Sequence, residues 1–346
     1  MSHDPLSTIH LRRTQENVEE IAEATRRWGR RVGIDGVIAD LNRSAQQVPV
    51  PGRAVDWGFR WNEDDLRSQR WWPQGITTSA DANDDEDVAG HRLLVTSWYS
   101  KDMGGDNHGS RVTVVDLDTL RYRHVLLVVP TRRFGRVTLQ PLLAHAGGLV
   151  WYGHYLHVAG TRRGLFTCLF DDLIRVDSTE DTFGYRYVLP VRFAYDAAAT
   201  DGVEPMRYSF LSLDRGTEPP HLVAGEYARG KMTRRLVRYA LDRETRHLAA
   251  HEDGTSRPAG LDEGGVGHMQ GATIVRDTWY VTNSRGRWGL GTVRVGRPGK
   301  WRAFRKAIPV GPEDISYWPS TDRLWSVTEY PGHRYVFCMA RSTFDH

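Results

Sequence analysis

Five short stretches of the chain place a polar side chain just ahead of a β-rich run. They are WWPQG with Gln74, LLAHAGG with His145, EPMRYSF with Arg207, GHMQG with His268 and Gln270, and GPEDISYW with Glu313 and Asp314. Imidazole beside carboxyl supports proton transfer: His145 or His268 serves as general acid or base, with Glu313 or Asp314 orienting or complementing it. The same residue types support metal binding. Gln74, His145, Gln270 and Glu313 offer one nitrogen with amide and carboxylate oxygens, a set suited to a borderline or hard divalent ion. A third reading needs no chemistry: polar groups at strand starts cap the strands and hold buried water. Gln74, Gln270 and Arg207 fit substrate positioning, and Trp72 and Trp151 lie close by in sequence as a flat wall for a ring-shaped ligand or as packing between sheets.

Residues so far apart meet only if repeated elements bring them together. From about residue 72 onward, runs of four to eight residues rich in Val, Leu, Tyr, Trp and Thr alternate with Gly, Asp, Asn and Pro, the pattern of short strands and turns. The runs group into five units. The first is GITTSAD, HRLLVTSWYS, SRVTVVDLD and YRHVLLVV; the second is GGLVWYG, HYLHVAG, GLFTCLF and YRYVLPVRF. The third is YSFLSLD, HLVAGEYA, RRLVRYALD and HLAAHED; the fourth is GATIVRD, TWYVTNS, GLGTVRVG and WRAFRKAIPV. The last has three strands, ISYWP, RLWSVTEY and RYVFCMA. Four-stranded units arranged around a ring make a β-propeller, whose innermost strands line a central channel. The five polar stretches then fall at one mouth of that channel. Gly75, Gly147 and Gly271 follow three of them and let backbones crowd the axis.

A ring must close, because open sheet edges are unpaired. The strand missing from the last unit is expected from VDWGFRWN, residues 55–62, with VGIDGVIADL, residues 32–41, as the alternative. Residues 14–32 read as a helix with Val18, Ile21, Thr25 and Trp28 on one stripe, acidic early and basic late. The chain therefore divides into an N-terminal helix and linker, 1–50, and a propeller domain, 51–346. The helix is expected outside the ring or across one face.

Composition narrows the function classes. The 346 residues carry a formal charge of +3 that is not concentrated, which excludes no anion but indicates no nucleic-acid partner. Two cysteines, Cys168 and Cys338, sit in apolar runs and read as buried thiols. No membrane span or signal sequence is visible, so a cytoplasmic location is expected. ADANDDEDVAG, residues 80–90, lacks the spacing of a calcium loop and reads as a solvated turn. SKDMGGDNHGS, residues 100–110, reads as a flexible loop that borders a pocket. GxSxG, HExxH, P-loop and dinucleotide motifs are absent.

Over about residues 55–342 the strand pattern resembles the five-bladed β-propellers. These include arabinanase-type glycoside hydrolases, calcium-dependent apyrases and tachylectin-like sugar binders. The arabinanase type carries acidic residues on inner strands of several units, whereas only the last unit here offers clear ones. Tachylectin-like proteins have near-identical units, and these share pattern more than identity. The abundance of Arg, Gly and Trp is similar to that of high-GC actinobacterial proteins, which implies a setting in specialised metabolism. The expectation is an all-β, five-bladed propeller enzyme acting on a small molecule by lyase, cyclase or hydrolase chemistry, with no cofactor or one divalent metal ion. The alternative is a non-catalytic binder of carbohydrate or protein.

Overall fold

The computed structural model describes residues 5–345. The chain is all-β apart from short helices, and its strands lie in four sheets of 14, four, four and five strands. The first strand of each predicted unit is innermost: β1 (Trp71–Thr78), β2 (Leu149–Tyr152), β3 (Phe210–Asp214), β4 (Met269–Val275) and β5 (Pro312–Trp318). β1 touches β2, β2 touches β3, and so on through β5, which returns to β1. Each inner strand pairs antiparallel with the next strand in sequence, and the sheets then run outward. This is a β-propeller, and alternation within each strand explains it: one face packs on each neighbouring sheet, so the inner and middle strands are buried almost throughout.

Hydroxyl side chains tie neighbouring sheets at the axis. Ser97 Oγ donates to the carbonyl of Ala146 at 2.6 Å, Ser212 Oγ to that of Ala272 at 2.5 Å, and Thr282 Oγ1 to that of Glu313 at 2.6 Å. Each gives a hydrogen bond to a backbone carbonyl at or just before the inner strand of the next unit. Backbones also crowd there: a Cβ on Gly271 would lie 2.7 Å from Asp314 Cα.

The strand at 55–62 spans Trp57–Arg60 and pairs with Tyr335–Ala340 in the last sheet. Residues 32–41 do not form a strand; Gly33–Ile38 is a short helix beside Tyr187, whose hydroxyl donates to Asp40. The helix expected over 14–32 spans Val18–Trp28 and buries Ile21 and Ala24, and Gly29–Arg31 continues as a strand paired with Ile174–Val176. Ile9–Arg13 pairs with the outer strand Tyr187–Ala199, which also runs parallel to Arg121–Arg133. That parallel pairing merges the first two units into the 14-stranded sheet. HLAAHED is not the outer strand of the third unit: Gly260–Asp262 pairs with Leu236–Ala240 in that place. Among the described residues, no helix is long and apolar enough to cross a membrane.

Candidate functional site

Three inner strands bulge at the same level. In β1 the pairing jumps between Pro73 and Ile76 against Trp98 and Thr96, leaving Gln74 and Gly75 opposite Ser97. In β4 it jumps between Met269 and Gly271, so Gln270 is extra. In β5 it jumps between Pro312 and Ile315, so Glu313 and Asp314 stand opposite Val327 alone. A bulge bends the strand and re-aims its side chains. The bulged residues are the polar ones, and they converge on one channel mouth.

There Gln270 Nε2 donates to Glu313 Oε1 at 3.0 Å, and Gln74 Nε2 donates to the Pro73 carbonyl at 2.8 Å and to Glu329 Oε2 at 3.4 Å. Glu313 is 3% exposed, while Glu329 is only part-buried. Glu329 lies close enough for its charge to act on the Glu313 carboxyl. Burial, then the Glu329 charge, then the Asp314 charge push the Glu313 carboxyl well above the ordinary range. Burial also raises Glu329, against the Tyr330 hydroxyl, Lys101 and Gln74, which favour its anion. The pair therefore titrates as a unit that retains a proton to higher pH than a free glutamate.

One step deeper, Asp314 is fully buried. Its Oδ2 accepts from the Ile76 and Leu149 amides, both at 3.2 Å, so it serves the unpaired edges of β1 and β2. Its Oδ1 has no hydrogen-bond partner, and burial raises its pKa well above the usual value. A protonated Asp314 removes the cost of an unpaired buried charge. Deeper again, Asp81 Oδ2 accepts from Thr77 Oγ1 at 2.7 Å and Ser316 Oγ at 2.8 Å, and burial pushes this carboxyl up to about 6.

The rim is aromatic and basic. The Tyr99 ring lies against the His145 ring, with centroids 4.4 Å apart. His145 reaches solvent, and the protein packed around it lowers its pKa, which favours neutral imidazole. Burial and the Glu329 and Glu313 charges raise Tyr99, keeping its hydroxyl protonated. Lys101 Nζ sits 3.3 Å over the buried Trp72 ring, and Arg334 Nε donates to the Glu329 carbonyl at 2.8 Å. His268 is exposed in a left-handed turn, φ 62°, with Nδ1 3.3 Å from the Tyr227 hydroxyl.

The sequence-expected residues thus separate into groups. Gln270 contacts Glu313, and Gln74 contacts Glu329 beside it; Asp314 lies next to Glu313, Trp72 packs below the rim, and His145 stands on the rim against Tyr99. Arg207 is committed elsewhere: its guanidinium donates to Glu204 at 2.5 Å and to the Thr233 carbonyl at 3.0 Å. Trp151 lies at the level of Thr77, one step toward the opposite mouth; its amide donates to Thr77 Oγ1 at 3.0 Å, and its indole donates to the Gly153 carbonyl. Among the described residues no group of three or more His, Cys, Asp or Glu is placed to hold a metal. Both glutamines turn their amide NH2 toward carboxylates, which fits hydrogen bonding rather than shared ligation. Sequence reading missed Glu329, Tyr330, Tyr99 and Lys101. They lie at or just beyond the ends of second strands, which by antiparallel pairing reach the mouth where the inner strands start. That second register was available in RLWSVTEY and HRLLVTSWYS.

No family model matches the chain, and no curated protein matches it. Solved structures similar to it include a gluconolactonase from Xanthomonas campestris, at 15% identity and TM-score 0.39, covering 86% of this chain and 88% of that one. The β-propeller domain of Cps50 from Myceliophteria thermophila is 10% identical with TM-score 0.37, covering 79% and 98%. A glutaminyl cyclase from Myxococcus xanthus is 11% identical with TM-score 0.35, covering 86% and 96%. These likenesses are of fold and carry nothing about activity.

Proposed function

We propose that the chain is a five-bladed propeller enzyme that performs acid/base chemistry on a small polar organic molecule at this mouth. The observation that carries the reading is the Glu313–Glu329 pair: two neighbouring carboxyl groups, held by Gln270 and Gln74, with raised pKa values, one buried and one open to solvent. Neighbouring like-charged carboxyls cannot both ionise easily, so the pair keeps a proton to higher pH than a free glutamate. Glu329 meets the substrate and gives or takes that proton. Glu313 beneath it sets the proton affinity. Gln74 and Gln270 fix the two carboxyl groups, and Tyr99 and neutral His145 line the approach. The chemistry is a lyase, cyclase or hydrolase step.

The competing reading is a non-catalytic binding protein. Its support is that sizeable recesses, of about 480 and 430 Å³, are lined by neither Glu313 nor Glu329. The deciding experiment compares wild type with Glu329→Gln on a panel of lactones, esters, amides and hydroxy acids, with product detected by mass spectrometry. Conversion by wild type that falls about 100-fold or more in the variant supports the enzyme reading. Equal conversion by both removes Glu329 from the mechanism. No conversion by wild type favours the binding protein.

A further inference from the structure

A recess of about 480 Å³ is lined mainly by the first unit, and Arg334, which donates to the carbonyls of both Asp65 in its lining and Glu329, separates it from the paired glutamates; its lining is chemically two-sided. One side is cationic, with Arg43, Arg123 and Arg186. The other is aromatic, with Trp71, His108 and Phe183.

The cationic side is only partly neutralised. Arg43 meets Asp65 at 3.3 Å and the well-exposed Asp64 at 3.8 Å, and Arg123 meets Asp40 at 3.3 Å. Two further arginines of the lining are spoken for: Arg111 by Asp65 at 2.8 Å, and Arg70 by Asp106 at 2.8 Å. Asp65 itself is turned inward, accepting also from the Tyr122 hydroxyl at 2.7 Å and facing His124 at 3.0 Å. Among the described residues, no carboxylate lies within ion-pair distance of Arg186. Its charge and that of Arg43 both act against the Arg123 cation. An anion entering the recess would relieve that repulsion, and planar guanidinium groups recognise carboxylate or phosphate oxygens well.

The aromatic side is organised as well. Phe183 stacks on His108 with centroids 4.1 Å apart and planes at 16°. Trp71 meets His108 edge-on at 6.3 Å and Tyr185 at 6.0 Å. Yet Phe183, a large apolar ring, is 43% exposed at the rim. A flat apolar wall beside convergent cations is a pocket built for a molecule with both characters.

We propose that this recess binds a small anion carrying a flat ring, an aromatic carboxylate or phosphate, as a second ligand site beside the channel mouth. The anionic group sits among Arg43, Arg123 and Arg186, and the ring lies against Phe183 and His108.

The test uses the full chain and three probes, phenyl phosphate, inorganic phosphate and phenol, followed by calorimetry and by tryptophan fluorescence, since Trp71 is in the wall. Phenyl phosphate should saturate, binding at least about tenfold more tightly than inorganic phosphate, and more weakly as salt rises. Phenol should not bind. Arg186→Glu should weaken phenyl phosphate at least about tenfold, with Arg186→Lys intermediate. Phe183→Ala should erase the advantage over inorganic phosphate. Glu329→Gln should change none of this, which separates the recess from the proposed catalytic pair. Arg186 is exposed, so its variants keep the fold, and circular dichroism confirms it. Absence of saturation by phenyl phosphate at millimolar concentration overturns the proposal. So does equal affinity for the two phosphates, or an Arg186→Glu variant that binds like wild type.

Discussion

Glu313, in the bulge opposite Val327, and Glu329, just past the end of the neighbouring antiparallel strand, come together at one channel mouth, the first buried and the second part-exposed. The bulge at Glu313 and Asp314 makes this possible. Without the extra residue, alternation would turn one of these two carboxyls toward a neighbouring sheet instead of the axis.

The pair should show two macroscopic titration steps in carboxyl ¹³C NMR, the upper one clearly above the ordinary glutamate value of about 4.3. Glu329→Gln should lower the remaining Glu313 step, because it removes the like charge that raises it. Any activity that uses the pair as a proton donor should fall as pH rises through the upper step. An unchanged Glu313 titration in the variant would show that the carboxyls do not interact.

The sheet pattern was legible because propeller strands are short, β-rich and punctuated by turns, and each keeps that signature without help from distant residues. The starts of inner strands were legible for the same reason, and Gln74, Gln270 and Glu313 follow from them. Bulges were not, since a bulge is a relation between two strands; Gly75 and Gly271 were its only local trace. Arg207 misled because a start-of-strand position says nothing about Glu204 and Thr233, which hold its guanidinium. Trp151 misled because it sits at the far end of so short a strand that it belongs to another level of the channel. The N-terminal strands at Ile9–Arg13 and Gly29–Arg31 were hidden, because their partners are outer strands about 150–190 residues away.

Ser97 joins two units through one hydroxyl. It accepts from the Gly75 amide at 2.7 Å and donates to the Ala146 carbonyl at 2.6 Å, both buried. Ser97→Ala strands one donor and one acceptor at the axis, at about 1–3 kcal/mol each before relaxation. Urea unfolding should show a loss of about 2–4 kcal/mol with an unchanged slope. A loss below about 0.5 kcal/mol would mean that water replaces the hydroxyl.

Asp81 makes stability depend on pH with a defined sign. Its folded pKa is raised from 3.8 to about 6, so the folded state binds its proton more tightly than the unfolded chain. The contribution is full below about pH 4, declines as pH rises toward 6, and is flat beyond, a loss of about 3 kcal/mol. Glu313 and Asp314 act in the same direction. Asp81→Asn should therefore flatten, without abolishing, the fall in stability between pH 4 and 6, measured by denaturant midpoints across that range. An equally steep fall in the variant would place the titrating group elsewhere.

Gly271 holds the bulges of β4 and β5 in register. A methyl group there would meet backbone, 2.7 Å from both Asp314 Cα and Ile315 N, and neither atom can swing aside as a side-chain tip would. Gly271→Ala must push β5 outward, at a cost of about 1–3 kcal/mol or more, and it displaces Glu313 and Asp314 with it. The variant should lose stability and also disturb the Glu313 titration, a pairing of effects that simple overpacking elsewhere would not produce. Gly267→Ala is the control: it lies a few residues earlier, its nearest neighbour would be the Ala228 carbonyl at 3.7 Å, an ordinary contact, and it should leave both measurements near wild type. If Gly271→Ala is as well tolerated as Gly267→Ala, the close approach of β4 and β5 is not what fixes the carboxyl pair.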